Sequence, residues 1–313
     1  ERQRQGERTG IALRYPLPWH DLEQVVATAE QTGYGALFLP EIAGRDAFAT
    51  LTGLAPATPG MSLATGVATI VSRAARTTAM AAATVAERSG GRMILGLGTG
   101  PARRGALDTL MAYLETVRGL LAGRASEDGS RLSLVPPEQV PIWIAALGPR
   151  SMRLAGEIAD GVLLNWCPPE RVAVARQRIA EGAERAGRDA ASVAVGVYIR
   201  ACVGQGEAAD IALRRAAGEY ASFPAYRRQF EEVGLGKEAE AAANAGPDGA
   251  GVPSTFLDAV SLRGDAPHAL SRLHAYREAG ADLPIVYPVA TLEPVSSILG
   301  TLFALAPVPA VED

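Results

Sequence analysis

The chain has 313 residues, of which 48% are hydrophobic, and its 30 basic and 34 acidic side chains give a net charge of −4. This length can bury a large core and is compatible with one α/β barrel or with two domains. The two signs of charge are mixed along the chain and form no basic stripe, so we expect no nucleic-acid partner. The longest apolar runs have the length of strands, so we also expect no membrane span.

The N-terminus and the cysteines indicate a cytoplasmic protein. Residues 1–9 are polar and charged, are predicted to form a flexible tail, and are followed by no apolar segment of the kind found in a secretory signal. The only cysteines, Cys167 and Cys202, are too few and too far apart for a disulfide framework or a cysteine metal site. Only three histidines are present, so we expect no metal centre.

Short apolar runs alternate with helical patterns along the whole chain, which is typical of a parallel sheet covered by helices. Eight runs are predicted as strands: Ile11 to Tyr15, Ala36 to Pro40, Leu63 to Ala68, Met93 to Leu97, Pro141 to Leu147, Gly161 to Asn165, Val193 to Val203 and Pro284 to Tyr287. Eight strands, each followed by helix, fit a closed (β/α)8 TIM barrel better than an open sheet. Residues 10–313 are therefore predicted to form a single domain.

Caps and periodicity predict the connecting helices. Asp21 is predicted to cap the first helix, which Gly33 ends, and Asp265 is predicted to cap a late helix that runs to Ala279. The other predicted helices are Thr77 to Arg88, Arg104 to Leu121, Arg150 to Ala159, Pro169 to Ala186, Glu207 to Ala245 with breaks, and Pro294 to Ala304. Gly246 to Pro253 is predicted to be a loop.

Ligands of such barrels bind at the carboxyl ends of the strands, so the residues that follow each strand are the candidates for a site. These candidates are Tyr15, Glu41, Gly66 to Thr69, Thr99, Gly100, Ala145 to Arg150, Asn165 to Cys167 and Tyr287. Asn165 is a candidate cofactor-binding residue, because its amide can form hydrogen bonds with a bound cofactor. Trp166 can either line a pocket or serve packing, and we interpret Cys167 as structural because no histidine lies near it in sequence.

Two glycine-containing segments are candidates for phosphate binding. Gly148 and Pro149 follow a predicted strand at the start of a helix, where free N–H groups and the helix dipole favour an anion. An isolated Gly-Pro pair more often simply ends a strand, and Arg150 can add charge or point to solvent. The segment Gly96 to Gly100 is similar to a dinucleotide-binding loop, but the third glycine of that motif is missing, since Pro101 or Arg103 stands there.

Several stretches of the sequence, taken in chain order, resemble one family. The stretches Arg88 to Gly100, Pro141 to Trp166 and Ala279 to Val289 resemble the luciferase-like flavin-dependent oxidoreductases, and are closest to the branch that uses coenzyme F420. Pro40 to Phe48 and Leu63 to Thr69 extend the resemblance to nearly every predicted strand. It implies a bacterial-luciferase-like barrel with F420 as the cofactor.

The resemblance assigns roles to residues at the strand ends. It implies that Ala145, Ala146, Leu147, Gly148 and Pro149 receive the cofactor phosphate and that Thr99 and Gly100 contact the ring. It also implies that the bond from Gly66 to Val67 is a cis peptide that supports the ring from behind. The loop sequence AALGP resembles the F420 branch, whereas relatives that use flavin mononucleotide (FMN) tend to have a serine-rich loop there.

The expected activity is hydride transfer between the deazaflavin and a small organic substrate, at a C=C, C=N or alcohol carbon. Glu41 is the candidate proton donor, because burial beside an uncharged ring can raise the pKa of a carboxyl into the working range. The alternative role for Glu41 is a salt bridge with Arg45, while Asp46 is predicted to cap the next helix. Some F420 enzymes that oxidise sugar phosphates have a histidine and a glutamate where this chain has Glu41 and Pro101.

Two other functions remain open from the sequence. An FMN-dependent monooxygenase of the same superfamily would activate oxygen. A barrel that binds the cofactor without turnover would explain why no complete acid and base set is visible. In each case the partners expected are small molecules, and many relatives form homodimers.

Overall fold

In the computed structural model, which describes residues 8–14, 16–101, 103–204, 206–246 and 248–307, parallel strands pair around a closed cylinder. The eight barrel strands are β1 (Gly10–Ala12), β2 (Ala36–Leu39), β3 (Ser62–Thr65), β5 (Met93–Gly98), β6 (Ile142–Ala145), β7 (Gly161–Asn165), β8 (Ala194–Val203) and β10 (Leu283–Pro288). Strand β10 closes the barrel, because Ile285 pairs with Gly10 of β1 and with Tyr198 of β8. The predicted (β/α)8 barrel is confirmed.

Two short strands add to the eight. Strand β4 (Ala68–Thr69) pairs with β5, and strand β9 (Ser261–Gly264) pairs with the carboxyl half of β8. The helices are α1 (Trp19–Gln31), α2 (Ala47–Leu54), α3 (Ala75–Ser89), α4 (Ala106–Leu121), α5 (Pro149–Ile158), α6 (Pro169–Arg185), α7 (Gly206–Ala221), α8 (Pro224–Glu231), α9 (Gly236–Ala243), α10 (Ser254–Val260), α11 (Ala266–Glu278) and α12 (Pro294–Ala304). None of these helices is both long and apolar enough to cross a membrane.

Large aromatic side chains fill the inside of the barrel. Trp143 packs where Gly161 and Gly196 have no side chain, since a Cβ at Gly161 would lie 2.4 Å from the indole and one at Gly196 would lie 2.7 Å from it. Phe38 lies beside it, with ring centroids 6.0 Å apart. Above this layer, Tyr198 contacts Phe38 edge to face. Apolar faces of the surrounding helices cover the outside of the strands.

Several predicted boundaries are wrong. Helix α1 begins two residues before Asp21, because Pro18, with an extended ψ of 150°, and not Asp21 is its N-cap. The first strand ends at Ala12, and Tyr15 lies outside the described residues. The predicted strand Leu63 to Ala68 divides into β3 and β4 around Gly66 and Val67, and the strand predicted from Pro141 ends at Ala145.

The prediction that residues 1–9 form a flexible tail is wrong for the last of them, Thr9. Thr9 is 1% exposed, and its hydroxyl accepts a hydrogen bond from Arg277 Nη2, so it belongs to the barrel. Residues 1–7 lie outside the described part of the chain. Helix α10 and strand β9 had no counterpart among the predicted elements. The cap predicted at Asp265 is confirmed, because its carboxylate accepts from the His268 N–H.

Helices α5 and α6 touch backbone to backbone at two glycines. A Cβ on Gly156 would lie 2.0 Å from the Ile179 carbonyl oxygen, and one on Gly182 would lie 1.9 Å from the Arg153 carbonyl oxygen. Such a contact leaves no room for a methyl group, and the obstacle is backbone, which cannot move aside cheaply. The close approach of these two helices therefore depends on glycine.

We expect Gly156→Ala to lower the free energy of unfolding by about 2 kcal/mol, because the methyl group must separate α5 from α6. Gly119→Ala is the matched control: Gly119 is also buried in a helix, but its added Cβ would come no closer than 3.6 Å to the Arg124 side chain. Alanine should there be neutral or stabilising by up to about 1 kcal/mol. Chemical denaturation of both variants tests this, and equal effects would contradict it.

Candidate functional site

The candidate residues lie on one rim because the barrel strands are all parallel. The register places Thr69 opposite Gly98, Ala145 opposite Leu163, and Asn165 opposite Tyr198. The ends of β3 to β8 therefore follow one another around the mouth. The structure brings the predicted site residues to the same edge, as the barrel rule requires.

A bulge after β3 projects at this rim. The Gly66–Val67 peptide bond is cis, as the family resemblance implied. The Gly66 N–H donates to the Leu39 carbonyl at 2.8 Å, and the Val67 carbonyl accepts from the Glu41 N–H at 3.4 Å. A Cβ at Gly66 would lie 1.8 Å from the Tyr198 hydroxyl, so glycine is needed while Tyr198 occupies this place.

Thr99 and Gly100 follow β5, and both are half-buried. The Thr99 hydroxyl donates to the Gly100 carbonyl at 3.2 Å, and Gly100 has a φ of +70°, which favours glycine. Just before them, Gly98 lies against the bulge, because its Cβ would come within 2.6 Å of Val67 Cγ2. The chain therefore turns close to the bulge at this point.

The segment Ala145 to Pro149 leads from β6 into α5. Gly148 is the N-cap of α5, Pro149 is its first residue, and an added Cβ at Gly148 would meet no atom within 4 Å. The first-turn N–H groups of a helix have no partner within the helix, so open space beside them suits an anion. Arg150 is exposed, so of the two roles considered for it, adding charge to the loop or pointing to solvent, the structure matches the second.

A buried arginine holds this segment in place from the helix that follows. Arg171 of α6 is 3% exposed on its side chain, and its Nη2 donates to the Leu147 carbonyl at 2.8 Å. Its Nη1 contacts the Glu232 carboxylate at the end of α8. Arg171 thus ties the loop after β6 to the helices that cover the mouth.

Glu41 is held in an ion pair. Arg73 donates from Nε to both carboxylate oxygens at 2.9 Å and from Nη2 to Oε1 at 2.7 Å, and these bonds raise the pKa of Arg73. Arg73 also contacts Asp46, which caps α2 as predicted. Glu41 therefore forms the salt bridge that was the alternative to proton donation, but its partner is Arg73. Arg45 donates instead to the Leu17 carbonyl.

Beside Asn165 lies a residue that the sequence did not single out. Arg200 of β8 is 4% exposed, and its Nη1 donates to Asn165 Oδ1 at 2.9 Å. Asn165 Nδ2 donates in turn to the Tyr226 hydroxyl at 2.7 Å. The available signal was an arginine within an otherwise apolar strand, two residues after Tyr198 and hence on the same inward face.

Trp166 and Cys167 serve packing. Trp166 is 1% exposed and joins the apolar cluster beneath α7 to α10. Cys167 is also buried, and burial raises its pKa to about 12. Among the described residues no group of three or more His, Cys, Asp and Glu side chains is arranged to hold a metal.

Residues 2–283 match the family model described as luciferase-like monooxygenase. The chain belongs to the luciferase-like monooxygenase family. This match confirms the family resemblance seen in the sequence.

Two relatives of this luciferase-like chain are enzymes named 5,10-methylenetetrahydromethanopterin reductase. The protein from Methanolobus tindarius is 37% identical over 187 residues, which cover 54% of this chain and 57% of the relative. The protein from Archaeoglobus fulgidus is 32% identical over 197 residues, which cover 57% of this chain and 59% of the relative. The chain thus spans less than two thirds of the length of these relatives.

A solved structure shares the fold over nearly the whole length. The coenzyme F420-dependent tetrahydromethanopterin reductase from Methanopyrus kandleri superposes with a TM-score of 0.78 at 22% identity, covering 96% of this chain and 98% of that one. At this identity the likeness establishes the fold. The bacterial-luciferase-like barrel expected from the sequence is confirmed.

We expect both thiols to be unreactive in the folded protein, because burial raises the pKa of Cys167 to about 12 and that of Cys202 to about 11. With Ellman's reagent at pH 8, the native protein should release no thiolate over minutes. Unfolding in guanidinium chloride should expose both thiols at once. Rapid labelling of Cys167 in the native state would contradict a packing role and reopen a nucleophilic one.

Proposed function

We propose that this single-domain luciferase-like barrel is an F420-dependent oxidoreductase that transfers hydride between the deazaflavin and a small organic substrate. The observation that carries the proposal is the loop Ala145 to Pro149, whose sequence resembles the F420 branch and which leads into the open N-terminus of α5. The names of the two relatives describe reductases, and the name of the superposed structure includes F420.

The residues at the rim fit this cofactor. The first turn of α5 would hold the phosphate, since the space beside Gly148 is open. The bulge at Gly66 and Val67 would support the ring, with Thr99 and Gly100 along its edge. Reduced F420 supplies a hydride from C5, and the residues of the chain then have to orient the acceptor, exclude water and provide a proton.

The proton that accompanies hydride transfer has to come from a group at the rim. Glu41 remains the proposed donor, but both of its oxygens accept from Arg73, so a proton could reach the substrate only after that ion pair loosens. The family description favours a second candidate function, an FMN-dependent monooxygenase. A barrel that binds F420 without turnover is the third.

Substrate, assembly and compartment belong to the same proposal. We propose a small acceptor with a C=C, C=N or alcohol carbon, and the methylene-pterin compound in the names of the relatives is one candidate. Both cysteines are free thiols, which suits the reducing cytoplasm. The homodimer expected from the resemblance stays a prediction.

We expect the protein to bind F420 and not FMN, because the AALGP loop resembles the F420 branch and lacks the serines that FMN-using relatives tend to have there. Titration of each cofactor with purified protein, followed by cofactor fluorescence, should give saturable quenching with F420 alone. Binding of FMN alone would overturn the proposal in favour of the monooxygenase. Binding of F420 without turnover on a broad panel of substrates would favour the third candidate.

A charge at Gly148 tests where the phosphate lies. Its φ of −104° accepts any residue, so Gly148→Glu should fold, and a carboxylate at a helix N-terminus is itself favourable. Repulsion between this carboxylate and the phosphate should weaken F420 binding about tenfold or more. Gly148→Gln is the neutral control of the same size and should bind F420 much more tightly than Gly148→Glu.

Glu41 and Asp46 form a matched pair for testing the proton donor, because both contact Arg73. If Glu41 gives the proton, Glu41→Gln should lower kcat about 100-fold, while Asp46→Asn, which still caps α2, leaves kcat close to wild type. Steady-state oxidation of reduced F420, with the substrate that the panel identifies, measures both. Equal losses in the two variants would assign Glu41 to structural support of Arg73.

A further inference from the structure

Arg200 is a buried cation at the mouth of the barrel. It lies near the carboxyl end of β8, opposite Tyr287 of β10, and is 4% exposed. Arginine is almost never buried to this degree unless a negative charge accompanies it, since the loss of hydration is otherwise uncompensated. The groups that contact the guanidinium therefore indicate the role of Arg200.

The partners of Arg200 are neutral. To the described residues its guanidinium makes one hydrogen bond, to Asn165 Oδ1, and no carboxylate of these residues lies within 4.0 Å. Three rings surround its Cζ atom, with centroids at 3.8 Å for Tyr287, 4.9 Å for Trp166 and 5.2 Å for Tyr220. Arg171 is equally buried and does contact a carboxylate, that of Glu232.

The guanidinium is held in a fixed orientation. The Tyr287 ring stacks against it. Asn165 is itself held by two residues: its side-chain Nδ2 donates to the Tyr226 hydroxyl, and its backbone carbonyl accepts from Gln229 Nε2 at 3.0 Å. The bond to Asn165 uses Nη1, and within the described part of the chain no residue accepts a hydrogen bond from Nε or Nη2. The edge formed by these two nitrogens matches the two oxygens of a carboxylate or phosphate.

Unpaired donors near Arg200 give a second, independent indication. Trp166 Nε1, beside the guanidinium, and the Tyr198 hydroxyl, beside Gly66, are both buried and have no hydrogen-bond partner among the described residues. Trp166 faces the guanidinium, and Tyr198 lies two residues before Arg200 on the same face of β8. Burial raises the pKa of Tyr198 well above its usual value, so the phenol keeps its proton. Buried donors without acceptors ordinarily mark a place for a ligand or water.

The available acceptor in this region does not satisfy the charge. Gln229 Oε1 is buried and has no hydrogen-bond partner in the described ranges, while Nε2 of the same amide donates to the backbone carbonyls of Asn165 and Trp166. A neutral amide oxygen also carries too little charge to offset a buried guanidinium. Asn165 and Tyr220 are half-buried, so Arg200 lies directly below the surface of the mouth.

We propose that Arg200 binds an anionic oxygen group of the substrate, a carboxylate or a phosphate, and that Asn165 is the residue that positions it. This rests on the proposed function and narrows its substrate class to organic anions. The site is distinct from the loop proposed for the cofactor phosphate, because β7 lies between β6 and β8.

Pairs of small probes with and without charge test this inference. We would measure acetate against acetamide and benzoate against benzamide by calorimetry, with protein both free and loaded with F420. At least one carboxylate should bind the wild type about tenfold or more tightly than its amide, since a charged hydrogen-bonded pair is stronger than a neutral one. Equal affinity within both pairs would overturn the proposal.

Variants assign the preference to Arg200. The carboxylate preference should disappear in Arg200→Met, persist in part in Arg200→Lys, and fall several-fold in Asn165→Ala, which keeps the charge but loses its positioning. Circular dichroism verifies folding, and Arg200→Lys and Asn165→Ala carry the test if the Met variant does not fold. A preference retained in Arg200→Met would overturn the assignment.

The affinity of the Arg200 variant for F420 shows whether the anion that Arg200 binds belongs to the substrate or to the cofactor. The affinity of Arg200→Met for F420 should stay close to that of the wild type, because the cofactor phosphate is proposed to lie elsewhere. If the variant loses F420 affinity about tenfold, the group that Arg200 binds belongs to the cofactor, and the substrate proposal is wrong. If the wild type does not bind F420 at all, the proposed function fails, while a carboxylate preference in the free protein would still uphold the site.

Discussion

The pairing of β10 with both β1 and β8 is the constraint on which the rest of the molecule depends. It closes the sheet, and in a closed parallel sheet every carboxyl end lies on the same rim. Residues that are distant in sequence, such as Gly66 and Tyr198, therefore come together. Closure also requires that the barrel be filled, and Trp143 does this only because Gly161 and Gly196 leave space for its ring.

Charge is arranged differently on the two sides of the rim. After β2, Glu41 and Asp46 share Arg73, so this side presents charges that are already paired. On β8, Arg200 is surrounded by aromatic rings and one amide. A paired cluster supports the loops around it, whereas an unpaired buried cation costs stability unless a ligand supplies the opposite charge. The asymmetry suggests how an anionic substrate could be oriented in the mouth.

Much of the architecture was predictable because its signals are local. All eight barrel strands and the helix Pro294–Ala304 follow from apolar periodicity, and the cap at Asp265 follows from its side chain. The cis peptide between Gly66 and Val67 was implied only by the family resemblance, because these residues suit an ordinary strand equally well. Helix α10 and strand β9 gave too short a signal to be predicted.

The sequence by itself determined the barrel, the order of its eight strands and the turn from Ala145 to Pro149, because periodicity, turns and motifs are properties of neighbouring residues. Only the tertiary structure decided which charges meet. The pairing of Glu41 with Arg73 rather than Arg45 arises between segments far apart in the chain. The same holds for the burial of Arg200, beside which the described residues place an amide and aromatic rings but no carboxylate. Burial and distance set the energy of a charge, and neither is a local property of the sequence.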